Sequence, residues 1–518
     1  MKWKPGKRHL FNAWVRMPSV MPKSYGHFIA GRWNAPSAKA TIESRSPATR
    51  KLLATFPQGT RAEMGEAVAA AEGARGAWKR MPAPRRGELL LRAAQIFRER
   101  KDKLGKLVAE EMGKIVSEGR GDVQEAIDFF EYVAGEGRRM FGITTPSELP
   151  NKLLMTRREP FGVVGLITPW NFPVAIPAWK SGAALVCGNS FVLKPAEQTP
   201  LCAAEFIDVL VDAGFPKGVV NMVSGLGEVA GDALVSDERV RAISFTGGVE
   251  TGKIVAQKAA GRLAACGLEL GGKNPMIVMD DANQDLALQG LMFGAFGTSG
   301  QRCTATSRLI LHEAIFDGFL QRVASAAKKL RIGDPTDADS QMGPVNSEEQ
   351  LKKILGYIEI GKTEAQLVTG GARIEKGWMA KGFFVEPTVF VAKHGARISK
   401  EEIFGPVLTV VKFKELDEAI RIANDVQYGL SSAIYTENVN QAFKAVDHLE
   451  AGLCYINAPT IGAEVQVPFG GIKATGNGTR EAGPTAIEEF SELKTVIVEY
   501  SGRLQRAQID TETLNAPT

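Results

Sequence analysis

The sequence predicts an α/β protein with two doubly wound parallel-sheet domains and, apart from them, a β-flap. Its 518 residues are too many for one hydrophobic core, so more than one domain is expected. Short apolar runs alternate with helical patterns in two successive series, and alternation of this length makes βαβ units and a parallel sheet. Two segments of period-two patterning stand outside both series. Each is too isolated to form a sheet alone, and they read as a flap that pairs with another subunit.

The element order follows the hydrophobic periods. Three long helices come first, over 62–79, 84–113 and 122–140, with apolar positions at helical spacing and Pro84 opening the second. The first alternating series is Val163–Thr168, a helix to Cys187, Phe191–Leu193, a helix over 200–213, Val219–Val223, a helix near 228–235, Ala242–Phe245 and a helix near 249–260. The second runs from about 274 to 480 and includes Ala287–Gly297, Ser307–Leu311, a helix at 314–329 and Val407–Phe413. Lys152–Arg158 and Thr495–Tyr500 are the period-two segments.

Composition narrows the function classes. Hydrophobic residues at 44% and charged residues at 23% are ordinary for a globular chain, and no apolar run reaches the length of a membrane span. The formal charge of +5 resides in residues 1–20, where Lys2, Lys4, Lys7, Arg8 and Arg16 meet no acid. The other 498 residues carry 58 basic and 58 acidic side chains, so the body offers no electrostatic footprint for nucleic acid. The basic leader reads as a targeting segment or as an overhang before a fold that begins near Met21; a single Ser and no apolar core favour the overhang. Five singly placed cysteines make neither a disulfide framework nor a zinc site, and they suit the reducing cytoplasm. The five histidines share no local motif, so no metal is expected.

Two glycine-rich turns imitate nucleotide motifs. Gly225-Leu-Gly227-Glu-Val-Ala230 follows a strand and opens a helix, but lacks the acid that a dinucleotide fingerprint carries about 20 residues on. Gly247 to Lys253 has Walker A spacing, but Ile254 cannot ligate Mg²⁺, which disfavours phosphoryl transfer. What survives is two strand-to-helix turns whose backbone N–H groups can hold phosphate; each alone is equally an ordinary tight turn.

Three residues stand out chemically. Cys303, in Gly300-Gln-Arg-Cys-Thr-Ala-Thr, has small or polar neighbours, whereas Cys187, Cys202, Cys266 and Cys454 sit in apolar segments as core filler. An accessible thiol that can ionise is a nucleophile. Glu269, in Leu268-Glu-Leu-Gly-Gly-Lys-Asn-Pro, places a carboxylate in an apolar strand; it is either a solvated strand end or a base of raised pKa. Asn171, in Thr168-Pro-Trp-Asn-Phe-Pro, ends the first strand of the alternating series, where a side-chain amide is either a turn residue or an oxyanion donor.

Taken together, Thr168–Pro173, Lys194-Pro-Ala-Glu197, Phe245-Thr-Gly-Gly, Glu269-Leu-Gly-Gly, Gly300-Gln-Arg-Cys, Glu402-Ile-Phe-Gly-Pro and Pro468-Phe-Gly-Gly occur in order. The chain thereby resembles the NAD(P)-dependent aldehyde dehydrogenase superfamily over roughly 25–500. The resemblance implies an aldehyde dehydrogenase-like fold: a dinucleotide-binding domain from 21–143 and 163–272, a catalytic domain over 273–484, and an oligomerisation flap with C-terminal tail from 144–162 and 485–518. It implies that Cys303 is the nucleophile, Glu269 the base for the hydrolytic water, and Asn171 with the Cys303 N–H the oxyanion hole. Lys194 and Glu197 would hold the adenosine ribose, and Glu402 with Phe404 the nicotinamide half. Ile167, Thr168, Pro169, Trp170, Gly227, Gly231, Phe245, Thr246, Gly247, Gly248, Gly252 and Leu270 complete the cofactor set, and Glu481 would be the distal carboxylate of a proton relay. The cofactor expected is NAD, with NADP less preferred because Glu197 repels a 2′-phosphate. A homodimer or homotetramer is implied. Gly248 departs from the family's usual Ser and removes a hydroxyl donor to phosphate.

Glu269 disfavours the sibling branch that passes its acyl group to coenzyme A. A catalytically silent relative is disfavoured by the presence of Cys303, Asn171 and Glu269 together. For substrate, Phe172, Trp179, Phe296 and Phe469 take positions that line the family's aldehyde tunnel. Arg302 resembles the arrangement in the aminoadipate-semialdehyde branch, and the 2-oxoglutarate-semialdehyde branch is the other near relative implied. A medium-chain semialdehyde with a charged end is one reading, with Asp122 or Glu125 supplying an acid. The other is that Arg302 braces its loop in a broad site for neutral aliphatic or aromatic aldehydes.

Overall fold

Residues 23–35 and 40–509 are described by the computed structural model; the basic leader expected over 1–20 lies outside them. Two seven-stranded sheets organise the chain. In the first, five parallel strands lie in the order Ala265–Glu269, Val240–Thr246, Val163–Ile167, Ser190–Lys194 and Val220–Met222. The hairpin His27–Ile29/Arg32–Asn34 extends that sheet antiparallel, with Phe28 opposite Met222. Chain order thus starts in the middle, steps to one side, and returns across Val163–Ile167. Such a switch of direction opens a ligand crevice at the carboxyl ends of the strands.

The second sheet runs Gln366–Thr369, Thr388–Val391, Val407–Phe413, Thr306–His312, Asn274–Val278, Ser431–Tyr435 and Leu453–Ile456, parallel except for its first edge strand. Near-continuous burial of Val163–Ile167, Ser190–Lys194 and Asn274–Val278 reflects helices on both faces.

The early helices differ from the periodic reading at their ends. Arg61–Arg80 is closed by a Thr60/Glu63 capping box. The single helix expected over 84–113 is two, Ala83–Glu99 and Lys101–Met112, broken at Arg100, whose ψ of 7° leaves the helical range. The third begins at Val116 rather than near 122, because the Val116 N–H finds the Pro335 carbonyl in the second sheet's domain, a contact no local pattern reveals.

Neither period-two segment is isolated. Ser491–Glu499 pairs antiparallel along all of Lys152–Pro160, and Thr144–Pro146 flanks the other side. The expectation that each needed another subunit is corrected to this extent: their first partner is each other, far away in sequence and adjacent in space.

Candidate active site

Strand register assembles the first half of the site. Ile167 lies beside Lys194 on one side and Phe245 on the other, and Thr246 lies beside Glu269. All of these strands run the same way, so Lys194 and Ile167, with Thr246 and Glu269 one residue further on, lie along the carboxyl edge. Thr168–Phe172 leaves from the middle of that edge.

Glu269 is also the last residue before the chain crosses to the second sheet, which starts five residues later at Asn274. The crossing needs glycines. A Cβ on Gly271 would lie 2.4 Å from the Glu402 carboxylate, and one on Gly272 only 2.5 Å from the Cys303 carbonyl oxygen. Backbone takes the place of side chain at both points: the Gly272 N–H donates to Glu402 Oε1 at 2.8 Å. Asn274 then donates through Nδ2 to the carbonyls of Cys303 and Ala305 at 2.8 and 2.9 Å.

The segment before Cys303 is held just as firmly. Thr298 and Ser299 both adopt left-handed φ, at 52° and 54°, an arrangement that persists only when its surroundings enforce it. Here they do: the Thr298 N–H donates to Glu118 Oε1 at 2.8 Å, and Ser299 Oγ donates to the Gly343 carbonyl at 2.8 Å. Gln301 Oε1 accepts from the Asn346 N–H at 2.9 Å. Burial, with Glu269 and Glu402 nearby, pushes the Cys303 thiol up to about 12. The sulfur is therefore protonated through the neutral range and must lose its proton before it can act as a nucleophile.

Glu269 is 3% exposed, and neither carboxylate oxygen has a hydrogen-bond partner among the described residues. Its pKa lies well above the usual carboxylate range, first through burial and then through the negative charge of Glu481. A neutral or readily protonated carboxyl beside a thiol and a cavity is suited to move protons. Asn171 is buried and gives one N–H of Nδ2 to the Gln301 carbonyl at 3.1 Å, leaving the second N–H. Behind Glu269, Glu481 pairs with Lys180, which also donates to Ser244 Oγ at 2.8 Å.

A cavity reaches this group, lined by Phe172, Trp179, Phe469, Arg302, Cys303 and Glu269, with Glu125, Thr246, Leu270 and Glu481 completing its polar and apolar wall. Trp179 stands edge-on to Phe469 at 5.2 Å between ring centroids. Phe296 is not part of the wall. It is 1% exposed within the second sheet's core, against such residues as Leu291 and Leu309, so its assignment to substrate is corrected to packing. The acid on the neighbouring helix is also resolved. Asp122 is buried, pairs with Lys114 at 3.0 Å and accepts the Ala175 N–H at 2.7 Å, whereas Glu125 faces the cavity. Burial and then Asp122 raise Glu125 to about 7. Arg302 donates through Nε to Thr298 Oγ1 at 2.9 Å and through Nη2 to Glu118 at 3.1 Å; Nη1 has no protein partner among the described residues.

On the other side of the edge, Lys194 and Glu197 form an ion pair at 2.6 Å. The helix Val249–Gly261 starts at Gly248 with no side-chain cap, so its first N–H groups are free at the carboxyl edge. A Cβ on Gly248, Gly227 or Gly231 would meet nothing within 4 Å, so the space beside these turns is open. Gly252 differs: its Cβ would lie 2.5 Å from Leu270, and the glycine serves helix-to-sheet packing. Trp170 and Phe404 meet edge to face at 5.4 Å, with Phe404 at φ 59°. This open, uncapped, glycine-bordered edge with Glu402 at one end and Glu197 at the other fits a dinucleotide.

Sequence reasoning missed Lys180, Glu118 and Glu489. Lys180 had a signal, as the lone charge in the apolar helix Ala175–Cys187. Glu118 and Glu489 had none, since each becomes distinctive only through a contact distant in sequence.

Comparison with known proteins agrees with this geometry. A model described as the aldehyde dehydrogenase family matches residues 33–496. The chain is 41% identical over 478 residues to the alpha-ketoglutaric semialdehyde dehydrogenase of Bacillus subtilis, covering 92% of this chain and 98% of that one. It is 41% identical over 479 residues to the 2,5-dioxopentanoate dehydrogenase of Saccharolobus solfataricus, covering 92% and 99%. A crystal structure of betaine aldehyde dehydrogenase from Staphylococcus aureus in complex with NAD⁺ superposes with a TM-score of 0.90 at 35% identity, covering 93% and 96%.

Proposed function

Because the chain belongs to the aldehyde dehydrogenase family, we propose that it oxidises a semialdehyde bearing a carboxylate at its far end, of the 2,5-dioxopentanoate class, with NAD. The observation that carries this reading is Arg302: among the described residues it is the sole basic side chain lining the cavity, and its Nη1 has no protein partner there and can meet a carboxylate. The two relatives of like identity, named for this substrate class, support it.

In this reading the Cys303 thiol gives up its proton to water in the cavity, and the sulfur, as thiolate, adds to the aldehyde carbon. The alkoxide that forms is met by the second N–H of Asn171 Nδ2 and by the Cys303 backbone N–H. NAD, when bound, supplies the hydride acceptor. The thioester left on Cys303 is hydrolysed by water that gives its proton to Glu269. Lys194, Glu197, Glu402 and the uncapped helix at Gly248 would hold the cofactor. Glu197 favours NAD over NADP, by a margin that its pairing with Lys194 reduces. The outer edge of Ser491–Glu499 shows exposed Leu493 and Ile497, which supports a homodimer or homotetramer paired through this flap. Five free cysteines support a cytoplasmic location.

NADH formation with 2,5-dioxopentanoate and with hexanal, by wild type and by Arg302→Ala, tests the proposal. Loss of a desolvated charge pair should cost about 2–5 kcal/mol in kcat/KM on the charged aldehyde and little on hexanal. Equal losses on both would make Arg302 a loop brace through Glu118 and Thr298, and the site one for neutral aldehydes.

A further inference from the structure

Behind Glu481 lies a second carboxylate that the reaction as described does not use. Glu489 turns its carboxylate inward from the short helix Ala486–Glu489, and both oxygens are buried, with the Ser244 hydroxyl facing them. The groups that face it come from four elements: Glu481 from its loop, Lys180 from Ala175–Cys187, Ser244 from Val240–Thr246, and Cys266 with Glu269 from Ala265–Glu269. Room for it is made on that last strand. A Cβ at Gly267 would lie 2.2 Å from Glu489 Oε1, so any larger residue there would evict the carboxylate. Its neighbour Glu488 is exposed and pairs with Arg158 at 3.3 Å, so this helix is where the buried cluster approaches the surface.

Resting on the aldehyde dehydrogenase reading above, we propose that Glu489 is the outer station of the proton relay, taking the proton that leaves Glu269 by way of Glu481, Lys180 and Ser244 and passing it to solvent. The balance is simple. Water gives one proton to Glu269 while its oxygen bonds to the thioester carbon, and the Cys303 sulfur leaves with the electron pair of the broken C–S bond. Glu269 must release that proton before the next turnover. Lys180, paired with Glu481 and bonded to Ser244, links the inner carboxylates to the outer one. A carboxylate buried here with no cation in direct contact is otherwise costly. Its burial, and next the charge of Glu481, raise it to about 7, where it both accepts and releases a proton at neutrality.

Glu489 acts through Glu481 and Lys180, so it is a positioning residue, and its test separates hydrolysis from acylation. Glu489→Gln should leave the rapid first formation of NADH at the wild-type rate. It should slow acyl-enzyme hydrolysis about tenfold near pH 6–7, with the pH profile displaced and imidazole buffer restoring the rate. Glu489→Asp should fall between. Infrared difference spectra without turnover give an independent readout: a protonated-carboxyl band lost in Glu489→Gln should titrate near pH 7. An unchanged hydrolysis profile, the absence of such a band, or equal slowing of both phases would overturn the proposal. No NADH from wild type with any aldehyde would instead remove the parent reading.

Discussion

Cys303 and Glu269, proposed above as nucleophile and base, are held in opposite ways. Cys303 belongs to a segment clamped from both sides: Glu118, Gly343 and Asn346 fix the residues before it, and Asn274 takes its carbonyl. Glu269 ends an ordinary strand, and among the described residues no donor meets its carboxylate. The sulfur must meet a carbon along one line, so its position is over-determined. The base must accept a proton, hold it and surrender it, so its environment sets a pKa rather than a fixed bond. One half of the site is built for geometry, the other for electrostatics.

That contrast predicts different failures. Cys303→Ala should lower turnover roughly 10⁴-fold or more, with NAD affinity by calorimetry near wild type; residual activity at the wild-type rate would mean another nucleophile. Glu269→Gln should lower steady turnover by about 10²- to 10⁴-fold while rapid mixing still gives a burst of NADH. A lost burst would place Glu269 in acylation as well. Gly272→Ala tests the clamp without touching any reacting group. Its Cβ would press on the Cys303 carbonyl at 2.5 Å, and a displaced sulfur should cost about 10²-fold in the burst rate. A wild-type burst would show that the loop tolerates movement.

The smallest effect concerns the cavity wall. Glu125, raised to about 7, is neutral below that pH and charged above it. A distal carboxylate on the substrate should therefore bind less well as pH rises from 6 to 8. KM should increase on the order of tenfold, the size of a like-charge term of about 1.4 kcal/mol. Hexanal should show no such trend, and Glu125→Gln should flatten the curve for the charged aldehyde. A rise shared by both aldehydes would locate the titration elsewhere.

Much of this was legible from local pattern. The strands Val163–Ile167 and Val407–Phe413 follow from short apolar runs, and the seven ordered motifs singled out Cys303, Glu269 and Asn171. Phe296 misled because an aromatic on an apolar helix looks the same whether its ring meets a tunnel or a core; only its burial within the second sheet's core decides. Asp122 and Glu125 lie three residues apart on one helix face, and the sequence cannot tell which one Lys114 neutralises.

Residue identity by itself determined which chemistry is available: a thiol in a polar loop, a carboxylate in an apolar strand, glycines where two backbones must pass. Those properties are carried by side chains and by local period, which sequence states directly. Tertiary structure alone decided how the groups are tuned. Lys180 and Glu481 are 301 residues apart, Glu118 and Arg302 are 184, and Gly267 makes room for Glu489 from far off in sequence. Such meetings set burial and charge, and so pKa and orientation. They depend on how parallel strands stack, and no short stretch of chain encodes that by itself.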